Sequence, residues 1–445
     1  MAERDLSSNP VRELVKRFLI TILLGIVIYR LGVFVPIPGV EFRGLQSIVQ
    51  GGESGTDSPL GAILAYADMF NGGAIANASV FGLGIMPYIS ASIIMQLLTF
   101  SFPALKQLQK EGEGGRRKLN QYTRYATLVI CAAQAAMAAV AIFNIQNSQG
   151  IRVVSPEYTR LGFVLQSTLM ITTGSMVLLW IAEQITKFGI GNGVSIIIMI
   201  GILSSIPGSF AGFDGQLPEY LGIALISILI IGAIVAMVQA VRKINLEQQR
   251  RIQGNKVYGG ASTVLPLKLN QANVVPVIFA SPVMYVLAYF ASLSFIQMEP
   301  LFGVSTPGYR YAFAALIIAF TYFYISITFD LNELSNHFKQ SGFFVRGIKP
   351  GKKTVDFLAF HLKRITFVGA VFLAAIAIVP DLIGQKIGAG QALMGGTGLL
   401  IVVGVALDVM QKVASFFLAH QYQGLTGGND PGAGAAAGKK APKRF

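Results

Sequence analysis

The chain contains almost no cysteine, histidine or tryptophan, and it carries little charge. Its single cysteine, Cys131, lies in an apolar stretch and cannot form a disulfide within the chain, so we predict a small core residue. The three histidines, His337, His361 and His420, are too far apart in sequence to resemble a metal-ligand motif. These scarcities exclude a disulfide framework within the chain, and they predict neither a metal site nor a cofactor.

Charged residues form only 13% of the 445-residue chain, against about 25% in average proteins, whereas 53% of the residues are hydrophobic. This composition predicts an all-α, polytopic membrane protein, because apolar segments that cross lipid must satisfy their backbone groups internally. Ten apolar runs have the length to cross a bilayer, although the fifth is short. They are numbered spans 1 to 10 and cover residues 18–35, 81–100, 124–143, 161–182, 191–207, 220–241, 274–296, 311–329, 365–383 and 398–418.

Basic residues outnumber acidic residues by 35 to 21, which gives a net charge of +14. If the amino terminus is cytoplasmic, 27 of the 35 fall in cytoplasmic segments and 5 in external ones. This asymmetry indicates membrane orientation, with both termini inside, rather than nucleic-acid binding. Two cytoplasmic loops, 242–272 and 330–364, are longer and more basic than orientation requires, so we predict that they dock partners.

A short pattern, P-x-I-x-A-S, occurs at 87–92 in span 2 and again at 276–281 in span 7. The copies lie five spans apart, and because five is odd, the two halves of the chain must be inverted relative to each other. A proline inside each span predicts a broken backbone hydrogen bond that must face protein or water, which indicates a central pore between the halves. The predicted units are a cytoplasmic segment 1–17, halves 18–206 and 220–418, a Gly- and Pro-rich hinge loop 207–219 and a flexible cytoplasmic tail 419–445.

Residues 59–71 form a mildly apolar run between glycine-rich ends. About 13 residues are too few to cross a bilayer, so the run predicts a re-entrant or interfacial helix. Its glycine ends, Gly72 and Gly73 among them, predict that it can move. The alternative is an external helix packed on the bundle surface.

No catalytic or nucleotide site is evident. Residues 347–354 resemble a phosphate-binding loop, but Lys352 occupies a position where that motif requires glycine. Ionisable residues inside the spans are few, and only Arg30 and Asp408 lie away from the span ends. We therefore predict a pathway that is driven by a partner and has no enzymatic activity. The alternatives are a secondary transporter of a small solute with Asp408 as a weak coupling site, and, with less support, a membrane-embedded enzyme.

Several long stretches resemble the SecY family, the channel subunits of the bacterial Sec preprotein translocase. They occur at 69–100, 110–125, 183–198, 262–281 and 395–403, and they include MFNGGAIANASVFGLGIMPYISAS, EQITKFGIGNGVSIII and GGTGLLIVV. The resemblance covers nearly the whole chain in both halves. It implies a channel in the bacterial plasma membrane that passes unfolded preproteins and recognises their signal sequences. It also implies SecE and SecG as partner subunits, SecA as motor, docked ribosomes, and contact with membrane lipids.

The resemblance further implies roles for individual residues. A ring at the narrow point of the pore falls on Ile85, Ile89, Val194, Ile198, Ile278 and Ile401. The short helix becomes a plug that contains Leu60, Ile63, Leu64, Tyr66, Met69 and Phe70, with Gly72 and Gly73 as its hinge. A lateral gate between spans 2 and 3 and spans 7 and 8 involves Pro87, Ser92, Gln96, Pro276 and Ser281. Docking of the motor or ribosome involves Arg250, Arg251, Lys256, Lys268, Arg346 and Lys349.

Two positions depart from the family pattern. Val194 stands in the ring where isoleucine is frequent, which is a small loss of bulk. Lys349 stands where the family usually has arginine, and lysine lacks the planar two-pronged donor geometry of a guanidinium. The second departure bears on how this loop couples to the motor.

Overall fold

A computed structural model describes residues 10–40, 68, 70–144, 153–211, 217–248, 251–253, 256–258, 262–292, 307–387 and 396–425. Within these ranges a helix coincides with each of the ten predicted spans. Span 1 is α-helical at Pro10–Ile22, π-helical at Leu23–Ile28 and α-helical again at Tyr29–Val33. Spans 2 to 10 are Met86–Ser101, Glu113–Asn144, Arg160–Phe188, Gly193–Ala211, Leu217–Gln239, Val275–Ser292, Pro307–Thr328, Lys352–Ile387 and Gly396–Leu425.

Six of these helices are each long and apolar enough to cross a membrane unaided. The count becomes seven if span 2 and the next helix, α1 (Pro103–Lys110), from which span 2 bends by 101°, are taken as one span. Span 5 is a shorter apolar helix, span 7 has 18 residues, and span 1 is interrupted by its π-helical stretch. The helices that are less suited by length to cross a membrane therefore include spans 2, 5 and 7, and these carry most of the predicted ring residues.

The two repeat prolines do not break their helices, so this part of the sequence interpretation is wrong. Pro87 and Pro276 are each the second residue of their helix, where a backbone N–H has no partner within the helix in any case. Span 2 consequently has only 16 residues, or about 24 Å. The turns at 70–85 precede it, and most of their residues are buried in protein, as non-helical backbone at membrane depth must be.

The helix contacts of the first half are repeated in the second half. Span 2 packs on span 3, span 3 on span 4 and span 4 on span 5, while span 1 contacts spans 4 and 5. Span 7 likewise packs on span 8, span 8 on span 9 and span 9 on span 10, while span 6 contacts spans 9 and 10. Each contact recurs five spans later, as two inverted five-helix halves require. The halves meet where span 5 packs on span 10.

Close packing at the start of spans 5 and 10 follows the same symmetry. Each of these helices begins with a glycine, and a Cβ atom on Gly193 or Gly396 would overlap a backbone oxygen of the preceding span, at Ala182 or Ile376. Small residues let membrane helices approach closely, because association there depends on packing. The two glycines therefore bring spans 5 and 10 against spans 4 and 9.

The two long basic loops form one structure. Strands β1 (Val241–Gln248) and β4 (Ser262–Lys268) pair as antiparallel neighbours, and β5 (Phe343–Val345) joins the other side of β1. A separate short hairpin pairs β2 (Arg251–Gln253) with β3 (Lys256–Tyr258). The helix α2 (Leu331–Ser341) leads into β5, and its N-cap is the side chain of Asp330. The sheet packs on span 9 through an apolar cluster that includes Leu246, Val345 and Leu358.

Candidate constriction between the two halves

The six predicted ring residues belong to a single apolar cluster where the two halves meet. Ile85, Ile198 and Ile401 are buried, with 4%, 8% and 2% of their surface exposed. Ile89, Val194 and Ile278 are partly buried and pack against the same cluster. Side chains from spans 2, 5, 7 and 10, which are far apart in sequence, therefore come together at one place.

The starts of the helices explain how the side chains converge. Ile85 and Ile89 are four residues apart at the start of span 2, as are Val194 and Ile198 at the start of span 5, and residues four apart lie on one face of a helix. Ile278 lies in the first turn of span 7. The ring residues therefore lie in the first two turns of their helices or just before them, so each half contributes helices that begin near the constriction.

The structure is closed at this point. Ile89, Ile198, Ile278 and Ile401 line a cavity of about 10 Å³, together with Met86, Val277 and Phe70. That volume holds on the order of one water molecule. Its wall is almost entirely apolar, so the cavity offers almost no hydrogen bonds to water or to an ion.

Of the predicted plug residues, Phe70 is described and reaches the ring. Its side chain is 8% exposed, lines this cavity, and also lines a second small cavity beside Ile85. The other five predicted plug residues, Leu60, Ile63, Leu64, Tyr66 and Met69, lie outside the described residues. The mobility of the 59–71 segment remains a prediction.

The two predicted hinge glycines have left-handed backbone conformations, with φ of +64° at Gly72 and +84° at Gly73. Polar groups that the sequence analysis did not single out surround this turn. Asp68 Oδ1 accepts hydrogen bonds from the backbone N–H of Ile75 and of Ala76, at 2.6 and 3.0 Å. Burial raises the pKa of the Asp68 carboxyl, and these two N–H donors oppose that rise.

The predicted gate residues occupy varied environments on spans 2 and 7. Pro87 and Pro276 are buried, Ser92 is half-buried and Gln96 is exposed, whereas the side chain of Ser281 lies outside the described residues. At the ring, Met86 and Ile89 of span 2 face Val277 and Ile278 of span 7 across the cavity.

A second contact between the halves lies beyond the end of span 2. Lys106 Nζ on α1 is 3.7 Å from Asp330 Oδ2, which follows span 8. The other carboxylate oxygen of Asp330 accepts from the backbone N–H groups of Asn332 and Glu333 at the start of α2. One carboxylate therefore caps a loop helix and bridges the two halves.

The predicted docking residues lie on or beside the strands of the two loops. Arg346 is 84% exposed and its Nε lies 3.7 Å from Glu247 Oε1 on β1, while Lys349 is exposed and Lys268, at the end of β4, is half-buried. Arg251 and Lys256 lie on the β2–β3 hairpin, although only their backbone is described, and Arg250 lies outside the described residues.

The structure gives little support for coupling chemistry in the spans. Asp408 Oδ2 lies 2.9 Å from Lys412 Nζ one turn away, and both side chains are about half exposed. In the part of the chain that the structure describes, no group of three or more His, Cys, Asp and Glu side chains is placed to bind a metal.

Two inverted sets of five helices around a closed aliphatic constriction define a membrane protein of the channel type. Residues 79–410 match the SecY family. Proteins named protein translocase subunit SecY are 36% identical over 437 residues in Rickettsia felis, covering 95% of this chain and 98% of the relative. The Escherichia coli K12 relative is 37% identical over 425 residues, with 92% and 93% covered. The chain belongs to the SecY family and is a multi-pass membrane protein.

Solved structures share this fold at low sequence identity. A structure of a protein-conducting channel superposes with a TM-score of 0.59 at 18% identity, covering 91% of this chain and 93% of that one. A SecY structure described for a plug domain that stabilises the closed channel gives 0.60 at 18% identity, with 91% and 93% covered. Sec61 from a canine ribosome–channel complex gives 0.57 at 17% identity and the same coverage.

Proposed function

We propose that this chain is the central channel subunit of a bacterial Sec translocon, passing unfolded preproteins across the plasma membrane and releasing apolar segments sideways into lipid. The observation that carries the proposal is the closed aliphatic ring at the junction of the halves. Branched apolar side chains exclude ions without hydrogen bonding, and they can yield around a passing chain. The ring would therefore seal the pore without any chemical step.

The plug would add to this seal. Phe70 lines the ring cavity and belongs to the same apolar cluster as Ile89 and Ile198, which supports a role for the segment that ends there in obstructing the ring. The SecY relative described for its plug domain keeps its channel closed by that domain, which supports the same role for residues 59–71 here. Gly72 and Gly73 remain the proposed hinge.

The lateral gate would lie between spans 2 and 3 and spans 7 and 8. Across it, the described residues meet at the ring and again at the Lys106–Asp330 ion pair. An exposed pair of this kind is worth at most about 1 kcal/mol, so it can be opened readily. Leucine or isoleucine at a span centre favours lipid by roughly 0.3–0.6 kcal/mol each, which summed over a signal helix drives its exit.

The driving force would come from partners, and we assign no catalytic role to this chain. The sheet that joins loops 242–272 and 330–364 forms one basic surface for SecA or a ribosome, since acidic and phosphate-bearing partners favour Lys and Arg clusters. The structural relationship to Sec61 from a ribosome–channel complex agrees with ribosome docking. SecE and SecG would complete the complex, with both termini of this chain in the cytoplasm.

Reconstitution tests the proposal. The purified chain is placed in liposomes with SecE and SecG and supplied with SecA, ATP and an unfolded preprotein. We expect ATP-dependent protection of the preprotein from external protease. A saturable, ion-coupled uptake of a small solute without any preprotein protection would instead support a secondary transporter.

A further inference from the structure

Two adjacent residues of span 1 bind the turn that carries Phe70. The Tyr29 hydroxyl donates a hydrogen bond to the carbonyl oxygen of Asn71 at 2.9 Å. The Arg30 guanidinium donates through Nη1 to the carbonyl oxygen of Gly72 at 3.0 Å. Tyr29 is only 2% exposed, so its hydroxyl has no access to bulk water as an alternative partner.

The same turn is held from other directions. The side-chain amide of Asn71 donates to the carbonyl oxygen of Gly82 at 2.7 Å. The Phe70 carbonyl packs directly on Gly201 of span 5, where a Cβ atom would overlap it and would also meet the Tyr29 hydroxyl. The backbone at 70–72 is therefore held by contacts from both span 1 and span 5.

The bonds of Arg30 also account for an arginine inside an apolar span. An arginine in a membrane helix is costly unless its charge is paired or bound to carbonyl groups. Here one nitrogen binds the Gly72 carbonyl, and the guanidinium carbon lies 5.3 Å from the centre of the Phe34 ring. Its charge is therefore directed at the turn and away from the ring cavity, which is not lined by Arg30.

We propose that Tyr29 and Arg30 are positioning residues of the seal, which hold Phe70 against the aliphatic ring by fixing the two carbonyls that follow it. This inference rests on the proposed function. Phe70 then acts as a further sealing side chain whose place is set by span 1, so resting closure depends on Arg30, which does not line the ring cavity, and on Tyr29, which packs beside Ile85 and Ile198.

The test is a double-mutant cycle on the complete reconstituted complex, with resting ion conductance as the readout. We expect Arg30→Met to raise resting conductance about tenfold and Tyr29→Phe about fivefold, as the loss of one charge-assisted or one neutral hydrogen bond implies. We expect a Phe70→Ala channel to leak by itself, and in that background either change should add less than about twofold, because groups that act through one contact are not additive.

Matched controls separate positioning from general damage. Arg160→Met removes an exposed arginine at the start of span 4, and Tyr311→Phe removes a hydroxyl from a side chain that is 76% exposed. Neither should change conductance. Arg30→Lys retains one cationic donor and should restore most of the closure, and Tyr29→Phe keeps the inference falsifiable if Arg30→Met does not assemble.

Two results would overturn the inference: unchanged conductance in folded Tyr29→Phe and Arg30→Met channels, or effects that multiply fully with Phe70→Ala. The failure of the proposed function has a different signature, because polar substitutions in the ring itself would then also leave conductance unchanged. If ring variants raise the conductance whereas the Tyr29 and Arg30 variants leave it unchanged, only the positioning role is rejected.

Discussion

The strongest test of the aliphatic ring is to place two carboxylates in it, by replacing Ile89 and Ile278 with aspartate. These residues come from opposite halves and line the same cavity. On insertion scales a charged side chain at the bilayer centre costs about 2.5–3.5 kcal/mol, so the pair costs about 5–7 kcal/mol in a dry ring. A cavity of about 10 Å³ cannot hydrate two anions, since it has space for on the order of one water molecule.

The double variant should therefore relieve this cost by opening and filling with water. At 1.4 kcal/mol for each factor of ten, the full cost corresponds to a bias of roughly 4 × 10³ to 10⁵ toward the wet state. Water and counterions offset part of the cost, so we expect resting conductance to rise at least about tenfold. The conductance should also become cation-selective, because a ring of carboxylates attracts cations.

Planar bilayers report both quantities through single-channel conductance and the reversal potential in a salt gradient. Ile89→Leu with Ile278→Leu is the matched control, since it keeps the ring apolar and close to its original volume, and it should stay closed. Unchanged conductance in the folded aspartate variant would refute the ring assignment. A leak without cation selectivity would place the current outside the ring.

Three further predictions concern the gate, the docking surface and the plug turn. Replacing Lys106 with methionine removes the ion pair to Asp330. We expect the rate of signal-sequence insertion, measured by cross-linking of the signal sequence to the channel, to rise about two- to fivefold. Reversing Arg250 and Arg251 to glutamate should weaken ribosome binding, most strongly at low salt in a sedimentation assay. Gly201→Ala should raise resting conductance and lower unfolding free energy by about 1–3 kcal/mol, because its methyl group overlaps backbone.

The predictions for the gate and for Gly201 have matched controls in the chain. Asp330→Asn removes the charge but retains an N-cap acceptor, so it should match Lys106→Met, whereas Asp330→Ala should also destabilise α2 by about 1 kcal/mol. Gly232→Ala adds a methyl group where no atom lies within 4 Å, and it should be neutral. Ribosome binding that is insensitive to the two reversals at every salt concentration would argue against docking on the hairpin.

Hydropathy predicted the ten spans because lipid imposes a strong rule, that backbone groups must be paired within each segment. The same rule led to an error at Pro87 and Pro276. Both lie inside apolar runs, but apolar character extends beyond the helix when the preceding turns are themselves buried, as 70–85 are. Hydropathy records burial, and it does not record where helical geometry begins.

The site was predictable to the extent that side chains define it. The six aliphatic residues come together in one cluster, whereas the turn beside them is held largely through backbone carbonyls, which no residue type reveals. Arg30 was noticeable as a charge inside a span, but its partner could not be inferred. The sheet was missed for a related reason: β5 has three residues and pairs with a strand in the other loop.

The π-helical stretch Leu23–Ile28 sets the angular register of the last part of span 1. A π-helix turns less per residue than an α-helix because its hydrogen bonds close wider loops, so the residues beyond this stretch are rotated by on the order of 100° from where an unbroken α-helix would place them. Tyr29 follows at once. Converting this stretch to regular α-helix at the same length would swing the tyrosine and its arginine neighbour around the helix axis with both side chains intact, so the π-helical stretch sets the direction in which the residues that follow it point.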